Sequence, residues 1–382
     1  MIITSLIDTD LYKISMMQAV LHQFPDTEVE YSFKCRNNPE VPLETYVEEI
    51  KEEIKNLCSI KFTERELQYL STIKYLKKDF VSFLRYFQLD YNNIYISTTN
   101  GFELKIKGNW RDTILFEVPI LAIINEVYFR HQKFHDFVAN ANLENKIDYL
   151  KKNPFTLIEF GTRRRYSKVW QRFVLQRLKQ EVPQHLFGTS NVQLAMENNL
   201  RPIGTHAHEF FCACQQLGLR LADSQKFALQ KWADEYRGDL GIALSDVVGS
   251  DAFFRDFDLY FSKLYDGVRH DSGDPVAFAY KTIKHYESMK IDPKTKAIVF
   301  SDSLDFRKAR ELHILFNDSI KTSFGIGTNL TNDCGVDPLQ VVIKMTRCNG
   351  QPVAKVSDSA GKLMCEDENF VNYLKSVFKI GS

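Results

Sequence analysis

Nothing in the 382 residues reads as a linker: there is no stretch rich in proline, glycine and serine, no low-complexity segment and no internal repeat. Neither sign of charge prevails, with Lys+Arg at 49 and Asp+Glu at 49. That balance removes any electrostatic argument for nucleic acid or an anionic membrane as a partner. Of the seven cysteines only Cys212 and Cys214 lie close together, at a spacing that matches no common zinc or redox motif. They read as the reduced thiols of a cytoplasmic protein. The most apolar window, 114–124, is cut by Glu117 and Pro119 and is far shorter than the roughly 20 residues of a membrane span. The first residues lack the basic start and long apolar core of a secretory signal. A P-loop is missing as well, since Gly361-Lys362 has neither the earlier glycine nor the following hydroxyl. A cytoplasmic protein with no nucleic acid and no membrane as partner is expected.

What is there is a change of rhythm along the chain. Asp8-Thr9-Asp10 offers N-cap side chains, and Leu11, Ile14, Gln18 and Leu21 follow at helical spacing. Tyr12 and Lys13 lie off that stripe and are expected to face solvent or a partner. Val29, Tyr31, Phe33 and Cys35 alternate as one face of a strand. Helical patterns follow at 46–57 and 79–87, and alternating runs at 94–98 and 102–106 flank Asn100-Gly101, a hairpin signal. From about Leu157, short apolar runs end abruptly at glycine or a polar residue: 157–160, 186–187, 202–203, 242–244, Val268, 298–300 and Phe324. Amphipathic helices fit between several of them, carrying Val169, Phe173 and Leu178, then Val276, Tyr280 and Ile283 after Asp274-Pro275, then Ala309, Leu312 and Phe316. Strand, polar loop and helix in alternation describe an α/β fold, an irregular (β/α) barrel whose strand ends hold the site. An open doubly wound sheet is the alternative. A second hairpin around Asn349-Gly350 and a closing helix with Phe370, Leu374 and Val377 return the tail to the N-terminal part. The expected domains are an α+β domain over 1–130, completed by 336–382, and the barrel over 131–335.

The polar clusters at the strand ends carry the chemistry. Tyr265 to Pro275 packs an arginine, a histidine, three carboxylates and two glycines into eleven residues, as a site for a polar, phosphorylated ligand would. Gly204-Thr-His-Ala-His-Glu209 holds two histidines and a glutamate. A structural or solvent-facing role, metal ligation, and a base or phosphoryl acceptor paired with a carboxylate all suit it. The arginines of Glu159-Phe-Gly-Thr-Arg-Arg-Arg165 make either a solvated face or a phosphate clamp. Phe324-Gly-Ile-Gly-Thr328 is a glycine-rich turn that offers backbone N–H groups and a hydroxyl to a phosphate. Asp246, Asp271, Asp274 and Asp302 fall at strand ends, and Asp274 before a proline reads as a helix cap. Two or three of them converging would suit Mg²⁺, ribose hydroxyls or a cationic transition state.

Taken together, Asp8-Thr-Asp-Leu-Tyr-Lys13, Glu159 to Arg165, Gly188-Thr-Ser-Asn191, Gly204 to Glu209, Arg269-His-Asp-Ser-Gly-Asp-Pro275, Phe300-Ser-Asp-Ser-Leu-Asp305 and Phe324 to Thr328 resemble the nicotinate phosphoribosyltransferases of bacteria, over nearly the whole chain. The resemblance implies joining nicotinate to phosphoribosyl pyrophosphate, giving nicotinate mononucleotide and pyrophosphate, coupled to ATP hydrolysis through a phosphohistidine in NAD salvage. It implies Mg²⁺ and ATP, and a homodimer with shared active sites. His208 would be the phosphorylated histidine, with Glu209 its neighbour. Tyr12 and Phe160 would sandwich the pyridine ring, and Arg163 and Arg269 would meet phosphate or carboxylate. Ser190 and Thr205 would lie near the nicotinate carboxylate, and Gly325, Gly327 and Thr328 would hold the phosphoribosyl end. Asp271 or Asp302 would face the cationic sugar, and Asp246, Asp271 and Asp302 are the candidate metal ligands. His206 departs from the pattern, which leads one to expect glutamine. The rival readings are a nicotinamide or quinolinate phosphoribosyltransferase and a non-catalytic barrel that binds phosphosugars. Ser190, where the amide-using relative carries an acid, favours the acid substrate.

Overall fold

The computed structural model describes residues 1–37, 39, 41–358, 363 and 365–380, and Gly361-Lys362 lies outside them. The chain forms two compact units, Met1–Gly204 with Ile326–Lys344, and Thr205–Gly325 with Met345–Ser382. The strands are β1 (Glu28–Cys35), β2 (Ile94–Ser97), β3 (Glu103–Asn109), β4 (Leu157–Glu159), β5 (Leu186–Thr189), β6 (Ile242–Leu244), β7 (Gly267–His270), β8 (Ala297–Phe300), β9 (Lys321–Ile326), β10 (Val341–Cys348) and β11 (Gln351–Pro352). They fall into an antiparallel and a parallel set, the mixed α/β class that the sequence implies.

In the first unit β1 pairs antiparallel with β3, and β3 with β2. Gly101 turns the β2–β3 hairpin at φ 98°, as the Asn-Gly signal requires. The start of β10 lies beside β1 in the same sheet, so the returning strand completes the N-terminal sheet. Parallel β4 and β5 also belong to this unit. The expected strand at Pro202-Ile203 is reduced to a single bridge, Thr189 to Pro202.

Two expectations in this unit give way. On the helix Leu11–Gln23, Lys13 is fully buried and pairs with Glu117 at 2.6 Å, so it faces neither solvent nor a partner. Tyr12 is the one residue from Leu11 to Val20 that stays half-exposed. On the helix Lys168–Glu181, Val169 and Phe173 are exposed, and the buried face is Trp170, Gln171, Val174, Leu175 and Leu178. Gln171 explains the shift: its amide is drawn inward by Glu159 at 3.0 Å and Thr162 at 3.2 Å, so a polar residue occupies the inner stripe.

In the second unit β6, β7, β8 and β9 are parallel neighbours in chain order, with Val268 opposite Ile298 and Ile298 opposite Thr322. Because these strands run the same way, their C-terminal ends share one edge. The helix Pro275–Ser288 begins where expected, with Asp274 accepting from the Val276 N–H at 2.8 Å. Its buried stripe is Phe278, Ala279, Thr282 and Tyr286, while Tyr280 is exposed. Thr282 turns inward at little cost because its hydroxyl donates to the Phe278 carbonyl at 2.9 Å. On the helix Phe306–Phe316 the expected Ala309, Leu312 and Phe316 are all buried. β10 and β11 meet through Asn349 at φ 50° and Gly350 at φ 74°, a turn with both central residues left-handed. The second arm is shorter than expected. After Val353 bonds Thr346, the Gln215 side chain takes both the N–H and the carbonyl of Ala354, at 2.9 and 2.7 Å, and the chain leaves the sheet.

Candidate active site

Loops from three parallel strands of the second unit supply one polar cluster. Ser245 and Asp246 follow β6, Asp271 and Ser272 follow β7, and Ser301 and Asp302 follow β8. His208 begins the helix His208–Leu217. Its Nε2 lies 2.8 Å from Asp246 Oδ1 and 3.4 Å from Asp271 Oδ2. The other Asp246 oxygen accepts from Ser272 at 2.7 Å and from the Lys355 ammonium at 2.8 Å. Lys355 is also 4.0 Å from Asp271. Arg269 closes the other side: Nη2 donates to Asp271 at 2.9 Å, Nε to Ser301 at 2.7 Å and Nη1 to Thr205 at 2.9 Å.

The electrostatics follow from burial opposed by pairing. Burial, helped by Lys355, lowers His208 to about 4 despite Asp246 and Asp271, so the imidazole is neutral at pH 7. Burial disfavours the charged form of Asp271 too, but Arg269, then His208 and Lys355, hold it well below the usual carboxylate range. Asp246 is held low against burial by Lys355 and His208. An ionised Asp246 can only accept, so the proton of the imidazole sits on Nε2 and the lone pair on Nδ1. Asp246, Asp271 and His208 bring ligand atoms within 4.8 Å of one another. Two hard carboxylates so placed fit a divalent cation such as Mg²⁺.

The neighbouring histidine is a different object. His206 is fully buried, with its ring 5.3 Å from Phe211, 4.6 Å from Trp232 and 5.4 Å from Tyr265, centroid to centroid. Its Nδ1 accepts from the Leu244 N–H at 3.4 Å, and burial, helped by Arg269, lowers it to about 3. It is a core ring, which is why this chain accommodates histidine there. Glu209 is buried in the first turn behind His208, where a negative charge suits the helix dipole. Asp302 lies outside the His208 triad, half-buried and accepting from Ser303 at 3.1 Å. Gly325 is buried within β9.

The first unit carries a second cluster. Phe160 follows β4, half-buried, and its N–H donates to the Ile326 carbonyl at 2.9 Å. That bond sets the Gly327-Thr328 turn beside Phe160-Gly161. A Cβ on Gly161 would meet the Thr331 side chain at 2.0 Å, and one on Gly327 would meet the Phe160 carbonyl at 3.0 Å, so both glycines are needed for close approach. Glu159 anchors the turn from below, accepting from the Gly161 N–H at 2.5 Å, Thr189 at 2.5 Å and Gln171 at 3.0 Å. Burial outweighs those donors and raises it to about 7.

The three arginines divide their work. Arg165 is fully buried, donating to both oxygens of Asp8 at 2.7 and 3.0 Å and to Glu126 at 2.7 Å. It is a core ion-pair centre, neither a solvated face nor a phosphate clamp. Arg164 donates to the Val341 carbonyl at 3.1 Å. Arg163 reaches Glu117 at 3.5 Å with its side chain 37% exposed. Against burial, Lys13, Lys344 and Arg163 together lower Glu117 to about 2. Ser190 is buried and donates its hydroxyl to Asp10 at 2.7 Å.

Sequence reasoning missed Lys355, Asp10, Glu117 and Lys344. Asp10 reads from sequence as a helix cap; in the structure it makes no cap bond and is turned to Ser190. Nothing around Lys355 in the sequence distinguishes it from a surface lysine.

Comparison with known proteins gives these clusters a family. Residues 155–382 match the nicotinate phosphoribosyltransferase (NAPRTase) family and residues 7–125 its N-terminal domain. A nicotinate phosphoribosyltransferase of Burkholderia mallei is 54% identical over 392 residues, covering 100% of this chain and 98% of that protein. One of Bordetella petrii is 53% identical over 389 residues, covering 100% and 99%. The crystal structure of nicotinate phosphoribosyltransferase from Vibrio cholerae superposes with a TM-score of 0.96 at 42% identity, covering 100% of this chain and 94% of the other. That from Porphyromonas gingivalis gives 0.94 at 34%, covering 99% and 100%. With matches at this identity over its full length, the chain belongs to the nicotinate phosphoribosyltransferase family and is an enzyme.

Proposed function

We propose that the enzyme joins nicotinate to phosphoribosyl pyrophosphate, releasing pyrophosphate and forming nicotinate mononucleotide for NAD salvage, and that it couples this to ATP hydrolysis through phosphorylation of His208. The nicotinate and phosphoribosyl pyrophosphate substrates follow from the family. The observation that carries the coupling is the His208–Asp246 bond of 2.8 Å. It fixes a neutral imidazole with its lone pair on Nδ1, the state a phosphoryl acceptor needs. That lone pair forms a bond to the γ-phosphorus of ATP, the bond from that phosphorus to ADP breaks, and ADP leaves with the electron pair. Water later cleaves the P–N bond, releasing phosphate.

In the transfer itself, the N-glycosidic bond forms as pyrophosphate leaves C1 of the ribose, and the sugar becomes cationic. Asp271, held ionised, and Asp302 are the carboxylates suited to stabilise it. Arg269 and Arg163 suit substrate phosphate and carboxylate, Ser190 and Thr205 the nicotinate carboxylate, and Gly325, Gly327 and Thr328 the phosphoribosyl end. Phe160 and Tyr12 of the partner subunit would hold the pyridine ring between them in a homodimer. Tyr12 stays half-exposed in a stretch, Leu11 to Val20, that is otherwise buried, as a ring offered to a partner would be. Mg²⁺ would be held by Asp246 and Asp271 and would offset pyrophosphate charge. Among the described residues no helix is long and apolar enough to cross a membrane, and we place the enzyme in the cytoplasm.

Incubation with γ-labelled ATP tests the coupling. The enzyme should take up an acid-labile, base-stable label, His208→Asn should lose it, and His206→Asn should keep it while melting at a lower temperature. Label that persists in His208→Asn contradicts the assignment.

A further inference from the structure

Lys355 joins the His208 cluster from the far end of the chain, and its position is built. Around it the chain is fastened on both sides. Gln215 clamps Ala354, the Val356 N–H donates to the Val247 carbonyl at 2.7 Å, and the Asp358 N–H donates to Ser272 at 3.2 Å. The Asp358 carboxylate in turn accepts from the Ser250 N–H at 3.1 Å. Gly249 and Gly273, at φ 83° and 82°, each have Asp358 as the nearest atom to an added Cβ, at 3.1 and 3.2 Å. The segment is therefore seated on the loops after β6 and β7 that carry Asp246 and Asp271. Lysine loses more rotamer freedom on ordering than most residues, yet this one is only 11% exposed, with its ammonium on the carboxylate that also holds His208.

We propose that Lys355 is a positioning residue of the phosphoryl step: it balances Asp246 and Asp271 before transfer, and turns its ammonium to the phosphoryl oxygens on His208 once they arrive. The proposal rests on the reading of His208 as acceptor. Transfer puts roughly −1.5 to −2 charges on a ring whose Nε2 already faces two carboxylates, and the site must hold a cation that can turn toward them. The planar fork of Arg269 is committed in three directions, to Ser301, Thr205 and Asp271. An ammonium on a flexible stem is a point charge with rotatable donors, and Lys355 sits on the Asp246 oxygen opposite the one bound to the imidazole. Turning from carboxylate to phosphoryl is the movement assigned to this side chain.

The experiment is rapid-quench labelling by γ-labelled ATP of the full-length enzyme, Lys355→Met and Lys355→Arg, with thermal midpoints recorded for each. Lys355→Met should label about 100-fold more slowly, the scale of losing one preorganised charge-stabilising donor, and its label should be hydrolysed with an altered half-life. Lys355→Arg, which keeps the charge, should recover most of the labelling rate. Labelling at the unsubstituted rate in Lys355→Met overturns the proposal. So does an equal loss in both variants that tracks their thermal midpoints, since that marks a purely structural lysine. No label in the unsubstituted enzyme overturns the acceptor reading and this proposal with it.

Discussion

Asp246→Asn changes one oxygen to an amide and leaves the shape of the side chain, so its consequences can be worked from three contacts. The carboxylate accepts from His208 Nε2 at 2.8 Å, Ser272 at 2.7 Å and Lys355 at 2.8 Å. If the new NH₂ faces the imidazole, Nε2 must accept, the proton moves to Nδ1, and the nucleophilic lone pair there is gone. If the oxygen faces the imidazole, the NH₂ meets the Lys355 ammonium, donor against donor. The first outcome is a wrong-tautomer defect, which in a hydrolase triad costs about 10⁴ in rate. Allowing for exchange between the two arrangements, labelling of His208 should slow by about 10²- to 10⁴-fold, or about 3–5 kcal/mol of barrier. Stability should fall less, by about 1–3 kcal/mol. An orphaned buried charge costs about 3–5 kcal/mol, but here Asp271 remains 4.0 Å from Lys355. Rapid-quench phosphoprotein labelling measures the first quantity and thermal unfolding the second. Labelling within fivefold of the unsubstituted enzyme would refute the tautomer argument.

Arg269→Ala should abolish turnover while the protein stays folded, because the guanidinium organises Thr205, Asp271 and Ser301 at a strand end and not the core; near-normal kcat/KM in a folded variant would contradict this. Tyr12→Ala should raise the KM for nicotinate by the equivalent of about 1–2 kcal/mol if ring stacking contributes, and an unchanged KM would count against it. Glu159 gives a pH test with a definite sign. Burial raises it from the usual 4.5 to about 7, so between those values the folded state holds a proton that the unfolded chain has released. Stability contributed below about pH 4.5 is therefore lost as pH rises through 7. Glu159→Gln should flatten that part of the profile of thermal midpoint against pH, and a profile of unchanged slope would show that another group causes it.

The parallel strands were legible because each contains a short apolar run punctuated by glycine or a polar residue, and the same punctuation placed Asp246, Asp271 and Asp302 at strand ends. Both Asn-Gly hairpins were legible for a local reason, since the turn itself demands left-handed backbone. What sequence periodicity could not supply was the partner of a polar side chain. Gln171 and Thr282 turn inward because of bonds to Glu159 and Phe278, and they displace Val169 and Tyr280 from the stripes that hydropathy favours. Lys13 reads as exposed until Glu117, about a hundred residues on, is brought to 2.6 Å. Arg165 reads as part of a charged face until Asp8 and Glu126 enclose it. Lys355 reaches its carboxylates only because Gln215 draws the chain out of a hairpin arm.

Pyrophosphate release measured from nicotinate, nicotinamide and quinolinate, each with phosphoribosyl pyrophosphate and with or without ATP, tests the central claim most directly. The account predicts release with nicotinate, faster and at lower phosphoribosyl pyrophosphate when ATP is present, together with nicotinate-stimulated formation of ADP. Release with nicotinamide or quinolinate in preference to nicotinate, or a rate with nicotinate that ATP leaves unchanged, would contradict it.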